Sequence, residues 1–221
     1  MIGISVASKK EWEATLEYFK INKNQCNQYP YGEYFFTNLL DKQMIIYRCG
    51  ARKTNSVGAN QYMIDHFNLR KIIVAGTCAG IDDKYKPLDI LIPSLAVQYD
   101  CSIKEMEPLI RESFNVEVVS NKANSECVIA TADKAVVMWK DYMELKNNNV
   151  TIADTESAAI AYVCKRNNVE CIIVKGISDF PIKEIETDSK NAYDSQYDTF
   201  VRNTPLIMNK IYKEYLEKLV I

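Results

Sequence analysis

Residues 171–179 read CIIVKGISD, a short apolar run that ends in a serine and an aspartate. Apolar runs of this length are typical of buried β-strands. Similar runs occur at Ile2–Ala7 and Lys71–Gly76, and longer segments with the spacing of amphipathic helices separate them. This alternation predicts βα units around a largely parallel or mixed sheet.

The predicted elements cover most of the chain. The predicted strands are Ile2–Ala7, Gln43–Arg48, Lys71–Gly76, Asp89–Pro93, Glu126–Ala130, Val150–Ala153 and Cys171–Gly176, with Tyr31–Leu39 as a hairpin arm. The predicted helices are Lys9–Phe19, Thr54–Phe67, Lys134–Lys146, Thr155–Arg166 and Asp194–Leu219. The polar stretch Lys183–Ser195 is predicted to be a long loop. Because no linker or repeat is evident, residues 1–221 are expected to form one α/β domain, a mixed central sheet flanked by helices.

The composition disfavours several classes of function. The formal net charge is −2, which gives no reason to expect a nucleic acid or an anionic membrane as partner. No stretch approaches the ~18 apolar residues of a membrane span. The apolar start is short, lacks a basic region and leads into Lys9-Lys10, so it is interpreted as a first strand and not as a signal peptide.

Cysteine and histidine usage gives no indication of a metal site. The seven cysteines are scattered without a C-x-x-C motif, and His66 is the only histidine. We therefore expect neither a bound metal nor a cofactor. Unpaired cysteines favour a reducing compartment, which predicts a cytoplasmic protein. His66 lies in a predicted helix, and a structural role is expected for it.

Polar residues follow four predicted strands, where ligands of α/β sheets usually bind. These four segments are Ser8-Lys9-Lys10-Glu11, Thr77-Cys78-Ala79-Gly80, Asp154-Thr155-Glu156 and Ile177-Ser178-Asp179. A single carboxylate at such a place is often only a helix cap. Acidic residues at three of these ends predict a catalytic site at one edge of the sheet. The structural alternatives are that Asp179 caps a turn, Glu11 lies in a solvated first helical turn and Glu156 meets a helix dipole.

These segments resemble the methylthioadenosine/S-adenosylhomocysteine nucleosidases, a family within the purine and uridine phosphorylase superfamily. The segment 153–159, ADTESAA, resembles the family's Val-Glu-Met-Glu-Ala-Ala-Ala, and 175–179, KGISD, its Arg-x-Ile-Ser-Asp. Residues 48–53, RCGARK, are similar to its Ser-Gly-Ile-Gly-Lys turn, and 76–80, GTCAG, to its Gly-Ser-Ala-Gly-Gly. The resemblance extends over almost the whole chain and implies a nucleoside phosphorylase-like fold.

The resemblance also implies roles for individual residues. Breaking an N-glycosidic bond leaves positive charge on the ribose and negative charge on the departing purine. By resemblance, Asp179 is the acid that protonates the purine, Ser178 supports it, and Glu11 activates water. Glu156 would bind the ribose hydroxyls. The implied substrate is a small-molecule purine nucleoside, an adenine nucleoside such as methylthioadenosine or S-adenosylhomocysteine.

Two alternative functions stay open. The first is a phosphate-dependent purine nucleoside phosphorylase, in which Arg48, Arg52, Lys53 or the Thr77 hydroxyl could bind the anion. Hydrolysis is favoured because a glutamate at the attack site, Glu11, would repel phosphate. The second is a nucleoside-binding relative that has lost catalysis, which the altered Met-Glu motif at Thr155 would favour.

The chain departs from the family pattern around the 5′ substituent of the nucleoside. Four positions expected to line that part of the site are Ser8, Ala51, Thr155 and Tyr197. A phenylalanine expected to stack on the purine corresponds to Ala135. The 5′ pocket is therefore predicted to be more polar than in the family. The resemblance also suggests a homodimer with residues of the site shared across the interface.

Overall fold

A mixed β-sheet forms the centre of the molecule in a computed structural model, which describes residues 1–100, 116–117, 124–181 and 189–221. Its strands in chain order are β1 (Ile2–Val6), β2 (Asn27–Tyr29), β3 (Gly32–Leu39), β4 (Lys42–Arg48), β5 (Lys71–Gly80), β6 (Ile90–Leu91), β7 (Pro93–Gln98), β8 (Val116–Glu117), β9 (Asn124–Thr131), β10 (Ile152–Asp154) and β11 (Glu170–Asp179). The helices are α1 (Lys9–Phe19), α2 (Lys53–Phe67), α3 (Trp139–Asn147), α4 (Ser157–Arg166), α5 (Ser189–Lys210) and α6 (Leu216–Val220).

Strand β5 organises the sheet. The strand order is β2-β3-β4-β1-β5-β10-β9-β7-β8, and β11 pairs with both β5 and β6. Both β1 and β11 run parallel to β5, so the carboxyl ends of these three strands reach the same edge. β10 runs antiparallel to β5 and pairs only with Ala79 and Gly80, at the very end of that strand. Its polar residues therefore reach the same edge from the opposite direction.

Helices cover both faces of the sheet because β5 is apolar on both. Ile72 and Val74 point into a core that α2 and α4 complete. Ile73 and Ala75 point into a second core formed with α1, the C-terminal half of α5 and α6. Successive side chains of a strand point to opposite faces, so Ile72 and Val74 lie on one face of the sheet and Ile73 and Ala75 on the other. The molecule is thus a three-layer α/β structure, and the predicted fold class is confirmed.

The C-terminal helical region is tied to the first helix by a buried hydrogen bond. α5 continues through a π-helical turn, Ile211–Tyr215, into α6. Tyr212 lies in this turn, and its hydroxyl is 2.8 Å from Thr15 Oγ1. Thr15 in turn donates to the backbone oxygen of Glu11 at 2.7 Å. The π turn thereby connects the end of the chain to the helix that carries Glu11.

Several predicted boundaries are wrong. The predicted strand Asp89–Pro93 is divided between β6, which ends at Leu91, and β7, which continues to Gln98. β5 and β11 continue to Gly80 and Asp179, because they pair with each other almost to their ends. α3 begins at Trp139 and not at Lys134, because the preceding residues form a segment that contacts the site described below. The loop predicted over Lys183–Ser195 is wrong from residue 189 onward, where α5 begins; residues 183–188 lie outside the described residues.

In the parts of the chain that the structure describes, no helix combines the length and the apolar character needed to span a bilayer.

The packing of α5 against β11 predicts a penalty for any side chain at Gly176. A Cβ there would lie 2.3 Å from Ile207 Cγ2, closer than packed carbon atoms can approach. We expect Gly176→Ala to reduce the free energy of unfolding by about 1–3 kcal/mol, as overpacking of a core does. Urea denaturation measures this change.

A double-mutant cycle supplies the control. In an Ile207→Ala background the nearest clashing methyl group is absent and Ile90 Cδ1, 2.9 Å from the added Cβ, is the close contact that remains, so Gly176→Ala should cost less than in the wild type. An equal cost in both backgrounds would show that the contact with α5 is not the cause.

Candidate active site

A cavity of about 230 Å³ opens at the edge of the sheet where β1, β5 and β11 end. Its wall includes the nine residues that the sequence analysis predicted for the nucleosidase site: Ser8, Glu11, Ala51, Thr77, Thr155, Glu156, Ser178, Asp179 and Tyr197. The three basic residues named for the phosphorylase alternative, Arg48, Arg52 and Lys53, do not line it. The structure thus brings these nine residues together around one space. Their individual roles stay predictions.

Glu11 is held at the cavity by the start of α1. Ser8 caps the helix, and the two residues form a capping box in which Ser8 N donates to Glu11 Oε2 at 2.7 Å. The other carboxylate oxygen, Oε1, accepts from Thr77 N at 2.6 Å and from Thr77 Oγ1 at 2.8 Å. Glu11 is only 2% exposed, so its interpretation as a solvated residue of a helical turn is wrong.

The glycine at position 76 makes room for this carboxyl group. A Cβ at Gly76 would lie 2.5 Å from Glu11 Oε1 and 3.1 Å from Lys175 Nζ. The carboxyl group of Glu11 and the ammonium group of Lys175 therefore both lie directly over the backbone of β5. Only a residue without a side chain allows this approach.

Lys175 forms a buried ion pair with Asp154 that sequence reasoning did not single out. Lys175 is 1% exposed, and its Nζ lies 3.0 Å from Asp154 Oδ2. Thr131 Oγ1 donates to Asp154 Oδ1 at 2.7 Å, and Ser157 Oγ donates to Oδ2 at 2.5 Å. A lysine in the middle of an apolar run, as in residues 171–177, is the signal that could have identified it, since lysine is rarely buried unless it is paired.

The charge of Lys175 is balanced by several acidic groups. Burial lowers the pKa of the Lys175 ammonium. The carboxylates of Asp154, Glu11 and Glu156 raise that pKa by more, so the net shift is above its ordinary value. Lys175 is therefore a permanent positive charge behind the wall of the cavity.

Glu156 lies beside this pair and is 6% exposed. Burial, followed by the charge of Asp154, raises the pKa of Glu156 to about 7, although Lys175 opposes the shift. Its Oε1 accepts a hydrogen bond from the Thr155 hydroxyl and one from Arg52 N at 2.8 Å. Arg52 has a φ of 73°, a left-handed backbone conformation that is strained for a residue with a side chain and that directs its N–H at Glu156.

Asp179 has a different environment, made of neutral donors. It is 8% exposed, and the Ser178 hydroxyl donates a hydrogen bond to its Oδ1. Gln196 Nε2, from α5, donates to its Oδ2 at 2.6 Å. Burial raises the pKa of Asp179 above its ordinary value, whereas the hydrogen bonds from Ser178 and Gln196 lower it. Sequence reasoning missed Gln196, because a helical glutamine 17 residues after Asp179, the end of the nearest predicted strand-end motif, gives no local signal.

The remaining wall of the cavity is apolar or exposed. Ala135, Val136 and Val137 belong to the segment before α3 and form one side. Tyr197 is 47% exposed and borders the opening. Ala135, at the position where the family was expected to supply a phenylalanine, lines the cavity without an aromatic ring.

The single histidine lies outside this wall. His66 stacks on Tyr62, with ring centroids 3.7 Å apart, and its Nδ1 is 2.8 Å from Tyr62 O. The six cysteines within the described residues are free. No group of three potential metal-ligating His, Cys, Asp or Glu side chains converges in that same part of the chain.

Comparison with known proteins places this arrangement in a family. A family model, the phosphorylase superfamily, matches residues 1–209. The aminodeoxyfutalosine nucleosidase of Helicobacter pylori is 23% identical, over 99% of this chain and 98% of that protein. The 5'-methylthioadenosine/S-adenosylhomocysteine nucleosidase of Bacillus cytotoxicus is 21% identical, over 96% of this chain and 98% of that protein.

Solved structures share the fold. The futalosine hydrolase of Helicobacter pylori superimposes with a TM-score of 0.77 at 20% identity, covering 96% of this chain and 97% of that one. The 5'-methylthioadenosine/S-adenosyl homocysteine nucleosidase of Campylobacter jejuni gives a TM-score of 0.71 at 19% identity, covering 95% and 98%. Because the family match spans nearly the entire sequence, the chain belongs to the phosphorylase superfamily, and the predicted resemblance is confirmed.

Proposed function

We propose that this chain hydrolyses the N-glycosidic bond of a purine nucleoside, and that the substrate is an adenine nucleoside such as methylthioadenosine or S-adenosylhomocysteine. The observation that carries the proposal is the pair of buried carboxyl groups, Glu11 and Asp179, on the wall of one cavity with different hydrogen-bond partners. The similar proteins named above are nucleosidases or hydrolases of nucleosides, which supports the same reaction class.

Asp179 acts as the acid in this proposal. The purine leaves with the electron pair of the glycosidic bond, and protonation of its N7 makes it a neutral leaving group. A carboxyl group whose pKa is raised by burial keeps its proton closer to neutral pH than an exposed aspartate does. General acid catalysis of this kind contributes about 10²–10⁴-fold in rate.

Glu11 acts on the water molecule. Its carboxylate is oriented by hydrogen bonds from Ser8 and Thr77, which fixes the direction from which it can accept a proton. The water oxygen forms the new bond to the ribose C1′ as the base departs, and Glu11 takes the water's proton. Glu156 accepts hydrogen bonds from the ribose hydroxyls, and its contact with Arg52 N holds it in place for this.

The charges around the cavity favour water over phosphate as the nucleophile. The lining contains Glu11, Asp154, Glu156 and Asp179, and Lys134 is its one cationic side chain among the described residues. Lys134 Nζ pairs with Asp141 Oδ1 at 2.8 Å, so its charge is already matched. A phosphate dianion would therefore meet the carboxyl group of Glu11 and, among the described residues of the lining, no unpaired cationic side chain.

We also propose a homodimer. A cluster of aromatic side chains between β3 and α2 exposes Tyr31 to 39% and Phe36 to 44%. Exposed apolar patches of this kind often mark interfaces. Light scattering coupled to size exclusion measures the mass directly.

The activity itself is tested by product analysis. Purified protein is incubated with adenosine, inosine, methylthioadenosine, S-adenosylhomocysteine and aminodeoxyfutalosine, with and without phosphate. We expect free base and free ribose, or its 5′-substituted form, at a rate independent of phosphate. Asp179→Asn should lower this rate at least a hundredfold with unchanged thermal melting. Formation of a ribose 1-phosphate in proportion to added phosphate would make the enzyme a phosphorylase.

Glu11→Gln tests the proposed base. The amide keeps the shape of the side chain but cannot accept the proton of water, so kcat should fall at least a hundredfold while the Kd of a non-hydrolysable nucleoside analogue changes less than tenfold. Calorimetric titration measures that Kd. Glu13→Gln is the matched control, because Glu13 lies on the same helix and pairs with Lys10 at the surface. If Glu11→Gln loses binding as well as rate, Glu11 has a structural role instead.

The polar 5′ wall predicts a weaker preference for alkylthio nucleosides than an apolar wall would give. Thr155→Met restores apolar surface and should raise the preference for methylthioadenosine over adenosine by about tenfold, the effect of roughly 1–2 kcal/mol of buried thioether contact. Thr155→Val is the control, since it also removes the hydroxyl that bonds Glu156. A similar gain in both variants would assign the effect to the lost hydroxyl and not to the thioether contact.

A further inference from the structure

Gln196 connects three separate parts of the site. It lies on α5, is 9% exposed, and donates from Nε2 to Asp179 Oδ2 at 2.6 Å and to Val136 O at 3.0 Å. A backbone carbonyl can only accept, so the contact with Val136 fixes which end of the amide faces the carboxyl group. The NH₂ group therefore joins the end of β11 to the segment before α3.

The environment of the Gln196 carbonyl oxygen, Oε1, indicates that the residue does not serve only to fill space. Within the described part of the chain, Gln196 Oε1 is buried and has no hydrogen-bond partner. A buried acceptor without a partner lowers stability, and a methionine of the same length would fill this space without that cost. The glutamine is thus explained by the two hydrogen bonds that its NH₂ group donates.

The surroundings of Asp179 explain why the hydrogen bond from Gln196 matters. Ser178 and Gln196 are the side chains that hydrogen-bond its carboxyl group among the described residues. The titratable groups that face the same space from the other elements are Glu11, Cys78, Lys134, Asp154, Glu156 and Tyr197. Lys134 is paired with Asp141, and Lys175 with Asp154. Neutral donors therefore provide the direct stabilisation of a negative charge on Asp179.

We propose that Gln196 is a positioning residue that fixes the orientation of the Asp179 carboxyl group and stabilises its charged form as the proton passes to the base. The inference rests on the proposed function. In this step the O–H bond of Asp179 breaks and an N7–H bond forms, while the electron pair of the glycosidic bond leaves with the purine.

The hydrogen bond from Gln196 stabilises Asp179 most strongly in the transition state of the proton transfer. Burial alone would keep the carboxyl group protonated but would make it a weak acid, because its carboxylate would be poorly solvated. A preorganised N–H donor gains strength as negative charge develops on the oxygen that it contacts. Gln196 therefore lowers the barrier to proton transfer and also lowers the pKa of Asp179 from the value that burial would impose.

The experiment measures Asp179 directly. Its side-chain carboxyl carbon is titrated by ¹³C NMR in the wild type, with Asp179→Asn identifying the resonance, and in Gln196→Met. Loss of a hydrogen bond to a charged group should raise the pKa of Asp179 by about one pH unit, a tenfold change in the proton equilibrium. In parallel, the plateau of kcat/KM should fall about tenfold and its alkaline limb should move to higher pH by the same unit.

Two further variants complete the design. Thr199→Val is the matched control on the same helix, because the Thr199 hydroxyl donates only to Ser195 O at 3.0 Å among the described contacts; neither readout should change. Gln196→Glu keeps the size of the side chain should the methionine variant fail to fold. It places a second carboxyl group beside Asp179, so the pKa of Asp179 should rise further than in Gln196→Met.

An unchanged titration of Asp179 in both Gln196 variants would overturn the proposal. A lower plateau with an unshifted alkaline limb would also overturn it, since a merely structural defect gives that pattern. If the wild type releases no base from any nucleoside, the proposed function fails. The NMR titration still decides whether Gln196 controls the carboxyl group, so the two failures are distinguishable.

Discussion

The buried ammonium group of Lys175 allows several acidic side chains to share one enclosed space. Asp154 contacts it at 3.0 Å, and the charges of Glu11 and Glu156 both act on it. Carboxylates in a cavity of low dielectric repel one another strongly unless a cation lies among them. Removing one partner of such a buried pair typically costs about 3–5 kcal/mol, because the other charge is left without compensation. The arrangement of the site therefore depends on where β11 places this lysine.

The sheet places Lys175 through its pairing with β5. Lys175 is opposite Gly76 in the parallel register of the two strands. Glycine at that position lets the carboxyl group of Glu11 and the ammonium group of Lys175 lie over the strand, and Thr77 next to it supplies two donors to Glu11. A register shift of one residue would turn Lys175 to the opposite face of the sheet. The register thus determines both the core and the charge balance of the site.

Much of the fold could be predicted from the sequence, because its strands are apolar runs and its helices have apolar residues at regular spacing. Lys9–Phe19 was predicted with the bounds that the structure gives. The start of α3 could not be predicted: residues 134–138 have helical composition, but the contact of Val136 O with Gln196 is a tertiary interaction. The ends of β5 and β11 were placed too early because polar residues such as Thr77 and Asp179 look like loop residues when their pairing partners are unknown.

Part of the site could also be predicted from the sequence, because it too depends on local patterns. Acidic residues at strand ends are recognisable because each lies within a local motif. Lys175 and Asp154 lie within two of the quoted segments, but their pairing, like the contact of Gln196 with Asp179, depends on contacts between distant segments. A single sequence does not contain the distances that distinguish a buried, paired lysine from an exposed one.

The difference between the two proposed catalytic carboxyl groups follows from their neighbours. Glu11 lies close to the ammonium group of Lys175 and accepts hydrogen bonds from Ser8 N and from two donors of Thr77, which hold its carboxyl group in the orientation that the proposed base requires. Among the described residues, the side chains that donate hydrogen bonds to Asp179 are neutral, and burial raises the pKa of Asp179 above its ordinary value. Two carboxyl groups in different environments can take different roles in one cavity. The ammonium group of Lys175 is already paired with Asp154, and Glu11 is the group that lines the cavity, which suits a neutral water molecule and not an anion.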